Sequence, residues 1–247
     1  MKKSIALACV IVLGLWGVAR ADLVDNIPVS IDTHIYSHGA NNNYGTATEL
    51  IVKKGGAGDG SDSYYNNRAL LAFELPDDIV SISGATLYLY MTNQVSWGGA
   101  ATDIEVYRVI QDAWTELGAT WNNYDGTNAW DLGGCRGQMT DFDNNIMASV
   151  SLPAWSSDHA RTVAWDVTAM AQTALGASQD TVNLRVTANL GGYDAGRLFA
   201  SGEYLITTRR PVLELTYTQG IPEPGTVFLI GTGLLSLAGV VRRRRMK

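Results

Sequence analysis

Cysteine is nearly absent from this chain of 247 residues, with only Cys9 and Cys135 present. Cys9 lies in an apolar stretch at the N-terminus, so a body that has lost that stretch holds one thiol and closes no internal disulfide. Charge is sparse as well, at 17% of residues against 46% apolar, and only four phenylalanines accompany seven tryptophans and eleven tyrosines. A disordered chain would be rich in charge and poor in aromatics, and a coiled coil would be built from Ala, Glu, Lys and Leu; this composition excludes both. Six prolines form no linker. Long hydrophobic runs are confined to the two ends, so the middle must be judged separately.

At the start, Met1-Lys2-Lys3 is basic, Ile5 to Val18 carries no charge, and Val18-Ala19-Arg20-Ala21 places alanines at the −3 and −1 positions of a cleavage site. A basic head, an apolar stretch too short to span a bilayer and small residues at the cut describe a signal peptide over 1–21, removed by signal peptidase after Ala21. At the other end, Pro222-Glu223-Pro224 precedes an uncharged helix-length run at about 226–241, followed by Arg242, Arg243, Arg244 and Arg245. Sixteen helical residues reach about 24 Å against a hydrocarbon core of about 30 Å, a deficit that snorkelling arginines cover. The cation cluster fixes that end in the cytoplasm and the body across the membrane. In order and content, 221–247 resembles the PEP-CTERM sorting signal. The resemblance implies recognition by an exosortase, transient inner-membrane anchoring, removal of the tail near Pro222-Glu223-Pro224, and delivery to the cell surface or beyond.

Between the ends, 22–220 reads as one domain with ten basic and 23 acidic residues, a formal net charge of −13. Such acidity disfavours nucleic acid and anionic membrane surfaces as partners, and sits awkwardly with a polyanionic glycan unless calcium bridges the two or a local basic patch exists. Lys53-Lys54 and Arg209-Arg210 are the only adjacent basic pairs. Periodicity is two almost throughout: Leu87, Leu89 and Met91 alternate with Tyr88 and Tyr90, and Leu213, Leu215 and Tyr217 with Glu214 and Thr216. Alternation puts one face on a core and the other in water. About ten such runs, near 28–36, 48–54, 68–75, 83–92, 103–110, 146–152, 161–167, 181–188, 196–201 and 211–218, predict an all-β fold, a single jelly-roll-type β-sandwich. One short helix is predicted, capped by Thr168, running Ala169 to Leu175 and ended by Gly176.

Several segments of the body resemble the DNRLRE-domain family, grouped with carbohydrate-binding module family 96. They are Asp32-Thr33-His34-Ile35, Asn43-Tyr44-Gly45, Asn67-Arg68-Ala69-Leu70-Leu71-Ala72-Phe73-Glu74-Leu75, Asp112-Ala113-Trp114-Thr115-Glu116, Thr120-Trp121-Asn122, Asp166-Val167-Thr168, Ser201-Gly202-Glu203 and Arg210-Pro211-Val212-Leu213. Ala72 and Glu74 depart from the family's usual basic residue and Asp. The resemblance implies a β-sandwich that binds polysaccharide or serves as a surface module.

No Gly-x-Ser-x-Gly elbow and no His-Glu-x-x-His occurs. Asp112 and Glu116 are a carboxylate pair of the kind a glycosidase uses, in a chain where acidic pairs abound. No cofactor is established, and calcium is the one the loops suggest: Asn122, Asp125, Asp141, Asp143 and Asn145 offer hard oxygen ligands, although the last three do not continue into an EF-hand. The same residue types make turns. Sugar binding needs aromatic faces outside alternating runs, and Trp97, Tyr124 and Trp155 in Gly/Ser/Asn-rich segments are the candidates. Trp114, Trp121 and Trp165 are assigned to the core, and Arg68 and Arg210 to pairing with carboxylates such as Glu74 or Glu203. The expected function is therefore an exported, non-enzymatic carbohydrate-binding protein of the extracellular polysaccharide matrix. A structural matrix protein without a specific sugar site is the alternative, and a polysaccharide-degrading enzyme ranks below both.

Overall fold

The computed structural model describes residues 22–55, 65–95, 101–154, 160–189 and 195–220. The signal-peptide and sorting-tail segments, with Ala19, Ala21, Pro222, Glu223, Pro224 and the terminal arginines, lie outside the described residues. Among the described residues, eleven strands and one α-helix follow in order: β1 Leu23–Pro28, β2 Ile31–Tyr36, β3 Glu49–Lys54, β4 Asn67–Glu74, β5 Ile79–Gln94, β6 Thr102–Val109, β7 Phe142–Leu152, β8 Arg161–Asp166, α1 Thr168–Gly176, β9 Thr181–Asn189, β10 Ala195–Ala200 and β11 Val212–Gln219. The fold is mostly β with one short helix, as the alternation requires.

All strands join one antiparallel sheet in the order β1-β11-β5-β10-β3-β4-β9-β6-β7, with β2 added to β4 and β8 to β5. Where two facing sheets are predicted, the chain forms a single sheet curled into a half-barrel. The reason is β10, which pairs β5 through Phe199↔Met91 and β3 through Phe199↔Leu50, and so bridges the two halves. The sixteen-residue β5 makes this possible by serving β11 along its first part, β8 at Thr86–Met91 and β10 at its end. The unpredicted strand, β1, has no alternation to find, because every residue in it but Ile27 is exposed. It is held by its ladder to β11 and by Tyr217 Oη donating to Asp25.

The inside of the curl is aliphatic. Leu50, Val52, Leu71, Phe73, Leu87, Leu89, Leu184, Phe199, Leu213 and Leu215 are fully buried in it, and Trp165 lies among them with its Nε1 donating to the Ile104 carbonyl at 3.0 Å. Helix α1 adds Met170, Ala171 and Ala174. Its start differs from expectation: Thr168 is the first helical residue, Val167 takes the cap position, and the Thr168 hydroxyl accepts the Ala85 amide of β5 at 2.9 Å instead. The left-handed turn after the helix falls on Ser178 (φ 57°), two residues beyond Gly176.

The outer face of β2, β4, β9 and β6 is also buried, by the long connection between β6 and β7. Ile35, Leu70, Ala72, Val109, Trp114, Ala119, Trp121, Trp130, Cys135 and Phe142 form this second core. Coverage on both sides explains why β4, Asn-Arg-Ala-Leu-Leu-Ala-Phe-Glu, is buried at every residue but the last. The connection is tied down by polar groups. Trp114 Nε1 donates to Asn183 at 2.9 Å, Trp130 Nε1 to the Thr120 carbonyl at 3.0 Å, and Arg185 to the Cys135 carbonyl while its guanidinium lies over the Phe142 ring. Arg68 donates to the Gly134 carbonyl at 2.9 Å and stacks on Trp121 at 4.7 Å. Gly134 has φ +84°, and a Cβ there would meet the Trp121 ring at 2.6 Å, so only glycine fits.

Candidate functional site

Two features stand out once the strands are in place: a cleft at the strand junction around Asn67, and a buried cluster of carboxylates at the start of β2.

Asn67, the first residue of β4, is opposite Tyr36 of β2 and also opposite Lys53 of β3. β2 and β3 therefore flank one point and diverge from it, leaving room that regular pairing would fill. One cleft of about 240 Å³ opens there, lined by His34, Tyr36, Tyr44, Lys53, Tyr65 and Asn67 among others. A second of about 200 Å³ shares Lys53 and adds Lys54, Arg68 and Arg185 beside Glu105 and Tyr107. The first is aromatic: His34 stacks on Tyr44 with centroids 4.4 Å apart, His38 on Tyr65 at 5.3 Å, and Lys53 Nζ lies 5.5 Å from the Tyr65 centroid. Burial beside Tyr44 holds the His34 imidazole down at about 4, so it is neutral at physiological pH. Tyr65 stays exposed at 47%. On a body of net charge −13, half-buried Lys53 and exposed Lys54 stand together at this cleft, with Glu105 as the acid beside them and Arg68 and Arg185 buried beneath.

At the other end of β2, Asp32 meets Glu116 from the β6–β7 connection and Glu203 from the turn after β10, with oxygens of all three within 4.8 Å of one another. The local chain is folded to hold them there. The Asp32 amide donates to Glu116 Oε1 at 3.1 Å, the Gly202 amide to Asp32 Oδ2 at 2.7 Å, and Asn43 Nδ2 to the Glu116 carbonyl at 2.6 Å. Gly45 packs against the same residue so closely that a Cβ would lie 2.5 Å from the Glu116 carbonyl oxygen. Asp32 is 2% exposed, and its Oδ1 is buried without a hydrogen-bond partner, as is Glu203 Oε2. Burial, aided by the neighbouring Glu203 and Glu116 and opposed by the Gly202 amide, pushes the Asp32 carboxyl up to about 7.

The residues singled out from sequence have varied positions. Trp97 and Trp155 lie outside the described residues. Tyr124 is half-buried and meets Trp130 edge-on at 5.7 Å. Trp114, Trp121 and Trp165 are buried, at 3%, 7% and 1% exposure. The Asp and Asn side chains of the loops are engaged in local bonds. Asp125 accepts the Thr127 and Asn128 amides, which hold its carboxyl below the usual range. Asp141 accepts three amides, from Asp131, Leu132 and Gly137. Asp143 accepts the Asn145 amide and lies 3.9 Å from Arg108, while Asn122 donates to Asn41 and Asn145 to the Met139 sulfur. Among the described residues, the group of acidic side chains close enough to share an ion is Asp32, Glu116 and Glu203, none of which was a sequence candidate for metal. Of the two carboxylates paired in the sequence, Asp112 accepts Gln179 at 3.1 Å and Glu116 accepts the Asp32 amide at 3.1 Å. Arg68 and Arg210, expected to meet Glu74 or Glu203, reach the Gly134 and Tyr204 carbonyls. The signal for the carboxylate cluster was present in the motif-like segments that hold its three residues, but nothing local in them says that they meet.

Residues 24–133 match carbohydrate-binding module family 96, and residues 220–245 match the PEP-CTERM protein-sorting motif. The chain thus carries a family 96 carbohydrate-binding module followed by a PEP-CTERM motif, and the family matched is a binding module rather than a catalytic one. The motif implies an exported or cell-surface protein sorted by an exosortase. No curated protein matches the chain. The strands after residue 133 pair with those inside the match, β9 with β4, β10 with β3 and β11 with β5, so the sheet draws on both.

Proposed function

We propose that this protein is an exported, non-enzymatic carbohydrate-binding protein of the extracellular polysaccharide matrix, released from its signal peptide after Ala21 and sorted by an exosortase, and that it holds an acidic glycan at the junction cleft around Asn67. The observation that carries this reading is the company of exposed Tyr65, Tyr36 and the cations Lys53 and Lys54 at one point of an acidic body, inside the segment that matches the carbohydrate-binding module. Aromatic rings stack on the apolar faces of pyranose rings, and ammonium groups meet carboxylates on the glycan. Trp97 stands two residues after Val95, which lines the same cleft, and with Trp155 and Tyr124 it remains a candidate contact. The test is affinity electrophoresis and a glycan array with the mature protein. Acidic glycans should bind more weakly as salt rises, and Tyr65→Ala should lose about 1–2 kcal/mol of affinity without loss of stability. Trp97→Ala and Trp155→Ala tell whether those residues contribute. Absence of specific binding by the folded protein would favour the structural matrix role, and release of reducing sugar from the polymer would favour an enzyme.

A further inference from the structure

We propose that Asp32, Glu116 and Glu203 bind one hard divalent cation, of the size and chemistry of calcium, and that this cation clamps three remote parts of the chain together. The three carboxylates supply only oxygen, the ligand that hard cations take. Their oxygens lie within 4.8 Å of one another, inside the roughly 4.6–5.2 Å that can separate two oxygens across a single calcium ion at 2.3–2.6 Å per bond.

The cluster alone would not carry the assignment, because acidic groups gather for many reasons. Its interior does. Asp32 is 98% removed from solvent, and its Oδ1 has no donor; Glu203 Oε2 is buried in the same condition. Among the described residues, the charged groups that act on Asp32 are Glu203 and Glu116, both acidic. Buried like charges without a counter-charge are costly, and a chain that spends Asn43, Gly45 and Gly202 on holding them in place is built around something positive. The Glu116 segment is 84 residues from Asp32, and the Gly202 amide is 170 residues from it. A cation there ties the start of β2, the β6–β7 connection and the turn after β10. Along β2, Asp32, His34 and Tyr36 share one face, so the clamp sits on the same strand face as the lining of the junction cleft.

The test uses the purified full chain, freed of metal with EGTA and held at constant pH. Calcium chloride should raise its melting temperature by several degrees and titrate calorimetrically at one ion per chain. Asp32→Asn and Glu203→Gln should each weaken that binding by at least about tenfold, with Asp125→Asn, a turn residue elsewhere, leaving it unchanged. If the first two variants do not fold, Glu116→Gln, at a half-buried position, is read in their place. No calcium response in the wild-type chain would overturn the proposal and leave a proton shared between Asp32 and Glu203 as the way the pair is neutralised. A response that survives intact in these variants would overturn it equally, because the ion would then sit elsewhere.

Discussion

The two faces of the curled sheet are buried by different means. On the inside, neighbouring strands close the space with aliphatic side chains, and the backbone of every strand is already paired in its ladder. On the outside, the cover is an irregular connection whose own amides and carbonyls find no ladder, so it brings polar partners with it. Asp141 takes up three amides, Arg185 and Arg68 answer the carbonyls of Cys135 and Gly134, and the Trp130 indole answers Thr120. A regular element can be covered by grease alone, whereas a loop that serves as a core layer needs charged and amide groups buried alongside its tryptophans. The outer core is accordingly expected to open locally before the inner one.

The sharpest way to break this contrast is through its extremes. Trp165→Ala on the inside should cost about 3–5 kcal/mol in urea unfolding, because a fully buried indole leaves a cavity that rigid ladders cannot collapse. Asp141→Ala on the outside should cost less, about 2–3 kcal/mol, since it strips three amides of their acceptor but leaves the sheet intact. Its signature should be local. Cys135, wholly buried with a thiol pushed up to about 12 by that burial, should resist a thiol reagent in the native protein and become reactive in the Asp141 variant at urea concentrations that leave the sheet signal unchanged. If Cys135 reactivity and sheet unfolding coincide in both proteins, the two faces form one cooperative unit and the distinction fails. Smallest of all, Leu117→Ser in the same connection should change stability by no more than about 0.5 kcal/mol, since Leu117 is 68% exposed and belongs to neither core.

Much of the inner face was legible in the sequence, because alternation is a local property. Leu87, Leu89 and Met91, or Leu213 and Leu215, announce their strand and its buried side without reference to any other segment. β1 was illegible for the converse reason: an exposed edge strand needs no apolar pattern. The start of β7 was hidden by Asp141, Asp143 and Asn145, residues that read as loop but serve here to pin the connection as it enters a strand. Trp114 and Trp121 could be assigned to a core, yet that the core lies on the outer face could not be read from them. The carboxylate cluster is the clearest case. Asp32, Glu116 and Glu203 each sit in a segment worth noting, but loop acids and turn acids look alike until the chain is closed.

The amino-acid order by itself determined the acidic balance of the body, the side of most strands that faces inward, and the family and sorting motifs that mark the chain as an exported carbohydrate-binding module. Only the tertiary structure decided that β10 would join two halves into one sheet, that Lys53 and Tyr36 would meet at Asn67, and that three acids from distant segments would share one buried spot. The division has a physical cause. Hydrophobic periodicity and short motifs act over a few residues, while strand order and curl arise from competition among long-range pairings, each of which depends on where all the others have closed.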